Sequence, residues 1–164
     1  MTGTLRAATV ADAGRIAQIY NHFVRDTIVT FEEQEVDTEA MAGRIRDTAS
    51  LSMPWLVAEV SGGVVGYAYA SSWKSRCAYR FAVETTVYLD AAQLGQGIGT
   101  ALYSRLLADL VSRRLHVAIG GIALPNAASV ALHEKFGFSH LGSFSEVGFK
   151  LGRWIDVGYW QKLL

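Results

Sequence analysis

Glu84-Thr85-Thr86-Val87-Tyr88-Leu89-Asp90-Ala91-Ala92-Gln93-Leu94-Gly95-Gln96-Gly97-Ile98-Gly99-Thr100-Ala101-Leu102 is the stretch around which the rest of the chain is organised. Glu84 to Leu89 is rich in β-branched and aromatic residues and reads as a strand. A glycine-rich turn follows, and Leu102, Leu106, Leu107 and Leu110 then recur at helical spacing. Strand, glycine turn and helix N-terminus together form a natural anion site. The first N–H groups of a helix lack partners there, and the helix dipole favours negative charge. Glycine lets the backbone come close to a phosphate because no Cβ intervenes. The stretch therefore points to a phosphate or pyrophosphate ligand, beside the plainer reading of a tight strand-to-helix turn.

Composition narrows the classes. Lys and Arg number 15 and Asp and Glu 15, a balance that argues against a general nucleic-acid binder. Hydrophobic residues make up 51% of the 164, enough for one ordered domain, residues 1–164, with a sizeable core. Cys77 is the single cysteine, so no intrachain disulfide can form, which fits a reducing compartment. No apolar run reaches the roughly 18 residues of a membrane span. Met1-Thr2-Gly3-Thr4-Leu5-Arg6 lacks the pattern of a signal peptide. A cytoplasmic protein without membrane or nucleic-acid partners is expected.

Outward from the central stretch, Leu5–Ala8 suggests a first strand. Thr9 to Asp12 has capping-box spacing ahead of a helix carrying Ile16, Ile19, Tyr20 and Phe23 to about Val24. Thr27 to Val36 is open between loop and extended chain. Asp37 offers an N-cap for a helix that must end before Pro54. Trp55–Val60 and Val64–Ala70, joined by Ser61-Gly62-Gly63, read as a β-hairpin. After the helix of about 99–113, His116–Ile122 reads as a buried strand. Asn126 opens a further helix closed by Gly137, and the tail from Phe138 alternates enough for two strands. The pattern is one mixed α+β domain, antiparallel in its first half, with helices interleaved later.

The glycine turn does not fit the two common nucleotide motifs. A P-loop needs Gly-Lys-Ser/Thr, but Gly99 is followed by Thr100-Ala101. A dinucleotide fingerprint needs a further glycine where Thr100 stands, or Leu102 if the count starts from Gly99. Gly95-x-Gly97-x-Gly99 before a helix better fits the pyrophosphate loop of acetyl-coenzyme A enzymes. A second strand, Val117–Ile122, leads in turn to Asn126-Ala127-Ala128-Ser129-Val130-Ala131-Leu132-His133-Glu134-Lys135-Phe136-Gly137-Phe138. With this companion the chain resembles the Gcn5-related N-acetyltransferase superfamily. Pro54–Val60, Trp73-Lys74-Ser75-Arg76, Glu84–Tyr88, Val147-Gly148-Phe149-Lys150 and Trp154–Gly158 narrow the resemblance to phosphinothricin acetyltransferases and the methionine sulfoximine or sulfone acetyltransferases close to them.

The resemblance implies a central, mostly antiparallel twisted sheet whose middle strands splay around pantetheine, with flanking helices. It implies acetyl-coenzyme A as cosubstrate, an amino-acid-like acceptor such as phosphinothricin (glufosinate), hence herbicide resistance, and a homodimer. Transfer would be by direct attack in a ternary complex. Read alone, Glu84 is a solvated or paired carboxylate at a strand end; the resemblance makes it the base that deprotonates the acceptor amine. Val87, Tyr88 and Leu89 would offer backbone groups to pantetheine and the thioester oxygen. Gly95, Gln96, Gly97, Ile98, Gly99, Thr100 and Ala101 would hold the pyrophosphate. Leu94 stands where the family often has Arg or Gln, so one charged contact is missing.

Asn126 is a helix cap and, by resemblance, a pantetheine ligand assisted by Ser129. His133 stands where many superfamily members carry a thiolate-protonating tyrosine; proton donation, site shaping and plain core packing are all open to it. Lys74, Arg76 and Arg80 form a basic loop, either merely solvated or suited to an acidic acceptor through charge-assisted bonds. Thr30, Phe31, Tyr79, Thr86 and Tyr88 would complete that pocket. His133-Glu134 is no zinc motif, since Gly137 occupies the second histidine's place, and no metal is expected. Cys77 has no base partner in sequence and reads as inert. Trp154, Tyr159 and Trp160 suit a core or an interface equally. The competing readings are acetylation of a peptide N-terminus, a polyamine or an aminoglycoside, and a non-catalytic acetyl-coenzyme A-binding module.

Overall fold

In the computed structural model, which describes residues 3–164, β1 (Thr4–Ala7) leads to α1 (Ala13–Asp26) and α2 (Thr38–Ser50). Met1 and Thr2, where the N-terminal stretch read above begins, lie outside the described residues. Asp12 is fastened before α1 begins. Its carboxylate accepts from the Arg6 guanidinium at 2.8 and 2.9 Å and from the Thr9 N–H at 2.8 Å, and these bonds lower its pKa to about 2. One face of α1, with Ile16, Ile19, Tyr20 and Val24, is buried. Asp37 caps α2 by accepting the Ala40 N–H at 2.7 Å.

The hairpin forms as its turn residues require, with β2 at Trp55–Val60 and β3 at Gly63–Ser72. Then come β4 (Ala82–Leu89), α3 (Ile98–Ser112), β5 (Val117–Leu124), α4 (Ala127–Lys135), β6 (Ser139–Lys150) and β7 (Arg153–Leu163). The strands make one seven-stranded sheet in the order β1-β2-β3-β4-β5-β7-β6. All neighbours are antiparallel except β4 and β5.

Two cores lie on opposite faces of the sheet. α1 and α2 pack over Trp55, Val57, Tyr67 and Tyr88. α3 packs over Leu56, Ala68, Ala70 and Val83 with the fully buried Leu102, Tyr103, Leu106 and Leu110. Each of these buried leucines contributes about 1.5–3 kcal/mol by leaving water. Because side chains alternate along a strand, β4 sends Tyr88 to the first core and Val83 and Val87 to the second. Glu84 and Thr86 share the face of Tyr88.

The parallel pairing of β4 with β5 is short. Ala82, Val83 and Glu84 face Val117, Ala118 and Ile119, and there the ladder ends, although β4 runs on to Leu89 and β5 to Leu124. The sheet forks at this point. Thr85 closes the vertex on the α3 side: its hydroxyl donates to the Ile119 carbonyl at 3.3 Å and accepts from the buried Tyr103 hydroxyl at 2.6 Å.

Candidate active site

The fork opens into a cleft of about 430 Å³. Glu84, Thr86, Val87 and Tyr88 line it from β4, Gly121, Ile122 and Ala123 from β5, and Asn126, Ser129 and His133 from the N-cap, first turn and last turn of α4. Val29, Thr30 and Phe31 wall it from the segment between α1 and α2, and Val147, Val157 and Tyr159 from β6 and β7. Beyond the vertex the inner edges of both strands lack ladder partners, so unpaired backbone N–H and C=O groups face each other across the fork.

Glu84 sits at the last paired position, opposite Ile119 on β5 and Ser71 on β3. Burial pushes its carboxyl above the usual range, and the Lys74 ammonium pulls it part of the way back. A raised carboxyl pKa is what a base acting near neutral pH requires. Gly121 makes the room: a Cβ there would stand 3.1 Å from Glu84 Oε1 and 3.1 Å from the Tyr159 ring. Tyr159 thus flanks the carboxylate, and its phenol is raised by burial and by the Glu84 charge.

Tyr159 and the β5 glycines are what reading the sequence missed. A signal was present, because Gly120-Gly121 inside an apolar strand marks close approach by other groups. Tyr159 could not be found without the register that pairs it with Gly121. Of the other two aromatics left open between core and interface, Trp160 is core and Trp154 is exposed.

His133 is buried at 4% exposure on α4. Its Nδ1 lies 2.7 Å from the Ser129 carbonyl, which can only accept, so Nδ1 carries the proton. Nε2 has no hydrogen-bond partner among the described residues and is pressed against Gly120. Burial lowers the ring's pKa, which keeps it neutral. A neutral ring protonated at Nδ1 has no proton to give from Nε2. Between donation and shaping, the geometry favours shaping.

Asn126 caps α4 through its carbonyl oxygen, which accepts the Ser129 N–H at 3.1 Å. The amide nitrogen is left to donate into the cleft, so capping and ligand binding are compatible in one side chain.

The glycine turn lies beyond the end of β4, outside the cleft lining. Gly95 and Gly97 hold left-handed φ of 76° and 77°, with open space where a Cβ would be. Gly97 is the N-cap of α3 and offers no side-chain cap, so the first N–H groups of that helix are open to a ligand. Leu89 wedges under the turn toward Gly99, where a Cβ would meet it at 3.2 Å. Asp90 steadies the approach by pairing with Arg15 and accepting the Ala92 N–H at 3.0 Å. Leu94 projects from this turn at 62% exposure.

The basic loop divides. Lys74 is exposed and does not line the cleft, but its charge reaches Glu84; its ammonium lies 5.1 Å from the centre of the Trp73 ring, and Trp73 packs edge-on to Tyr159. Arg76 and Tyr79 are exposed and line no part of the cleft. Arg80 is turned away altogether. A 3-10 turn at Cys77–Tyr79 puts its guanidinium over the Phe81 ring at 4.6 Å, and it lines a different cavity with Leu51, Arg113 and Leu115. Cys77 is exposed on the same turn. Among the described residues no group of His, Cys, Asp and Glu is arranged to hold a metal.

The family model for the acetyltransferase (GNAT) domain matches residues 5–158, and the chain belongs to the Gcn5-related N-acetyltransferase family. It is an N-acetyltransferase.

The chain is 38% identical to a phosphinothricin N-acetyltransferase of Streptomyces viridochromogenes, over 96% of this chain and 86% of that one. It is also 38% identical to an L-methionine sulfoximine/L-methionine sulfone acetyltransferase of Salmonella typhimurium, over 96% and 92%. Among solved structures, a phosphinothricin acetyltransferase of Sinorhizobium meliloti in complex with acetyl-coenzyme A superposes with a TM-score of 0.97. That protein is 39% identical, and the match covers 100% of this chain and 89% of that one.

Proposed function

We propose that this enzyme acetylates the α-amino group of a small amino acid with a strongly polar or anionic side-chain end, such as phosphinothricin, methionine sulfoximine or methionine sulfone. The observation that carries the reading is Glu84: a desolvated carboxylate at the vertex of the fork, within the field of the Lys74 ammonium. The carboxylate suits removal of a proton from an α-ammonium, and the nearby cation suits an acceptor that also carries negative charge. The activities named for the two relatives above agree with this choice.

Acetyl-coenzyme A, when bound, supplies the acetyl group as a thioester. The residues present fit it. Unpaired backbone groups of the fork, including those of Val87 on β4 and of Gly121 and Ala123 on β5, suit the amides of an extended arm, and the Asn126 amide adds a donor. The open turn from Gly95 to Ala101 suits pyrophosphate. Glu84 takes the amine's proton, and His133, packed on Gly120, keeps α4 at its distance from β5. Cys77 lies outside the cleft lining, which supports direct transfer to the amine over an acetyl-enzyme.

The test is thiol release at fixed acetyl-coenzyme A across phosphinothricin, methionine sulfoximine, methionine sulfone, a polyamine, an aminoglycoside and a peptide with a free N-terminus. Turnover confined to the amino-acid analogues is the expected result. Preference for the polyamine or aminoglycoside would overturn the proposal.

The reading includes a single catalytic domain in the cytoplasm, where acetyl-coenzyme A is available, and resistance to a glufosinate-type herbicide as a consequence of turnover. It also includes a homodimer. β6 is an edge strand, and Leu141, Phe144, Val147 and Phe149 on it and Trp154 on β7 are more than half exposed. Such a patch on an open sheet edge suits a second copy. Light scattering would show two chains per particle; one chain at working concentration would contradict it.

The departure at Leu94 gives a prediction of its own. Leu94→Arg restores a cation beside the proposed pyrophosphate and is expected to tighten acetyl-coenzyme A binding by about 3- to 10-fold at low salt. Titration calorimetry at two ionic strengths would show the gain shrinking as salt rises. An unchanged Kd at low salt would place the pyrophosphate elsewhere.

A further inference from the structure

Lys150, the last residue of β6, is 2% exposed. A buried ammonium normally sits against a carboxylate, because desolvating an unpaired charge is costly. None of the described carboxylates is within 4.0 Å of this one. Its donors go to two backbone carbonyls instead: Thr30 O at 2.7 Å and Phe23 O at 3.3 Å. Phe23 lies in the last turn of α1, where the helix dipole favours a cation; its carbonyl also accepts the Thr27 hydroxyl at 2.9 Å. Thr30 lies in the irregular segment between α1 and α2 that walls the cleft. One side chain therefore ties the β6–β7 hairpin to the end of α1 and to the cleft wall.

Neighbouring contacts lie along the same seam. The Phe31 ring rests on Gly148, where a Cβ would fall 2.4 Å from it. The Thr30 hydroxyl is bonded to the Tyr20 hydroxyl at 2.7 Å. Val29, Thr30 and Phe31 belong to no strand or helix, and these side-chain ties hold them together with the packing of Val29 on the first core and the bond from its N–H to Thr27 Oγ1 at 3.1 Å. The ladder between β6 and β7 shifts register between Phe144 and Gly148, with Glu146 at a φ of 52° and its N–H bonded to Asp156 at 2.7 Å. This bulge brings Val147 to the cleft, next to the Gly148 on which the Phe31 ring rests.

We propose that Lys150 is a positioning residue for the acceptor. Its ammonium holds the Val29–Phe31 strap as a wall of the cleft. The inference rests on the proposed reading that the acceptor lies in this cleft beside Glu84. Lys150 touches neither substrate. Its removal loosens the surface the acceptor packs on and leaves the fork and the α3 N-terminus as they are.

The experiment compares wild type, Lys150→Met and Lys150→Arg, measuring acceptor KM and kcat with methionine sulfone and acetyl-coenzyme A Kd by calorimetry. Methionine keeps the length of the stem and removes the donors. It is expected to raise acceptor KM by about tenfold or more while the acetyl-coenzyme A Kd stays within about twofold of wild type. Arginine keeps the cation but replaces tetrahedral donors with a planar fork, and is expected to fall between the two.

Simple loss of folded enzyme would lower the apparent kcat and leave KM unchanged, and that result would overturn the proposal. So would equal losses in acceptor KM and acetyl-coenzyme A Kd. If the methionine variant does not fold, the arginine variant carries the same split: a raised acceptor KM with an unchanged Kd supports the proposal, and any other pattern overturns it. Absence of turnover in wild type with methionine sulfone and the other amino-acid analogues would instead be a failure of the proposed function.

Discussion

Replacing Glu84 by Gln is expected to lower kcat/KM by about 10²- to 10³-fold, the usual worth of a positioned general base. That is about 3–4 kcal/mol of transition-state stabilisation. The amide keeps the shape of the carboxylate beside Gly121 and Tyr159 but cannot take a proton. The pH profile carries the diagnostic part. A base works when ionised, so the wild-type rate should rise with pH through the Glu84 pKa, which burial holds above the ordinary carboxyl value. The variant should lack that rise.

Stability should move the other way. A carboxyl whose folded pKa is raised contributes stability that is present below its unfolded pKa and is lost as pH rises through the folded one. At neutral pH the buried charge is therefore a cost, and the Gln variant should melt no lower than wild type. A steep loss of rate with an undiminished Tm would mark Glu84 as catalytic. Full activity in the variant would remove it from the mechanism.

The second large effect is expected at Gly120. A methyl group there would fall 2.3 Å from His133 Nε2 and 2.5 Å from Cδ2. The ring cannot easily withdraw, because Nδ1 is bonded to Ser129 O at 2.7 Å and Tyr103 and Phe138 pack edge-on at 5.1 Å. Gly120→Ala should destabilise by about 1–3 kcal/mol through overpacking and should reduce activity by pushing α4 from β5.

The partner of this clash is known, so it can be removed. Adding His133→Ala to Gly120→Ala should return much of the loss, a coupling of about 1–2 kcal/mol in a double-mutant cycle read by urea denaturation. Additive effects would mean the ring is not where its contacts put it. His133→Ala alone separates the two roles of the ring. Shaping predicts a loss of less than about tenfold at neutral pH, whereas an essential proton donor predicts about 10²-fold or more.

Much of the frame was legible because local chemistry and global fold agree here. The Ser61-Gly62-Gly63 turn dictated its hairpin, Asp37 and Asn126 capped the helices they precede, and Gly97 stands where a left-handed residue was needed. The fork itself followed from resemblance and not from local pattern. Nothing in Val117–Leu124 says that it pairs with β4 for three residues and then departs.

The acceptor side was less legible for a physical reason. Arg80 is four residues from Glu84 in sequence, yet a 3-10 turn and the Phe81 ring direct it elsewhere. Tyr159 reaches the site only through an antiparallel register set some forty residues away in sequence, a long-range fact that short windows do not carry. Lys150 would ordinarily be read as a surface residue, since lysines are rarely fully buried.

The most direct test of the account uses methionine sulfoximine, which offers two nitrogens, the α-amino group and the sulfoximine nitrogen. The wild-type enzyme is incubated with it and acetyl-coenzyme A, and the product is examined by proton and carbon NMR. Acetylation at the α-nitrogen, slowed by about 10²- to 10³-fold in Glu84→Gln, is the predicted result. Acetylation at the sulfoximine nitrogen, or none at all while a polyamine or aminoglycoside is turned over, would contradict it.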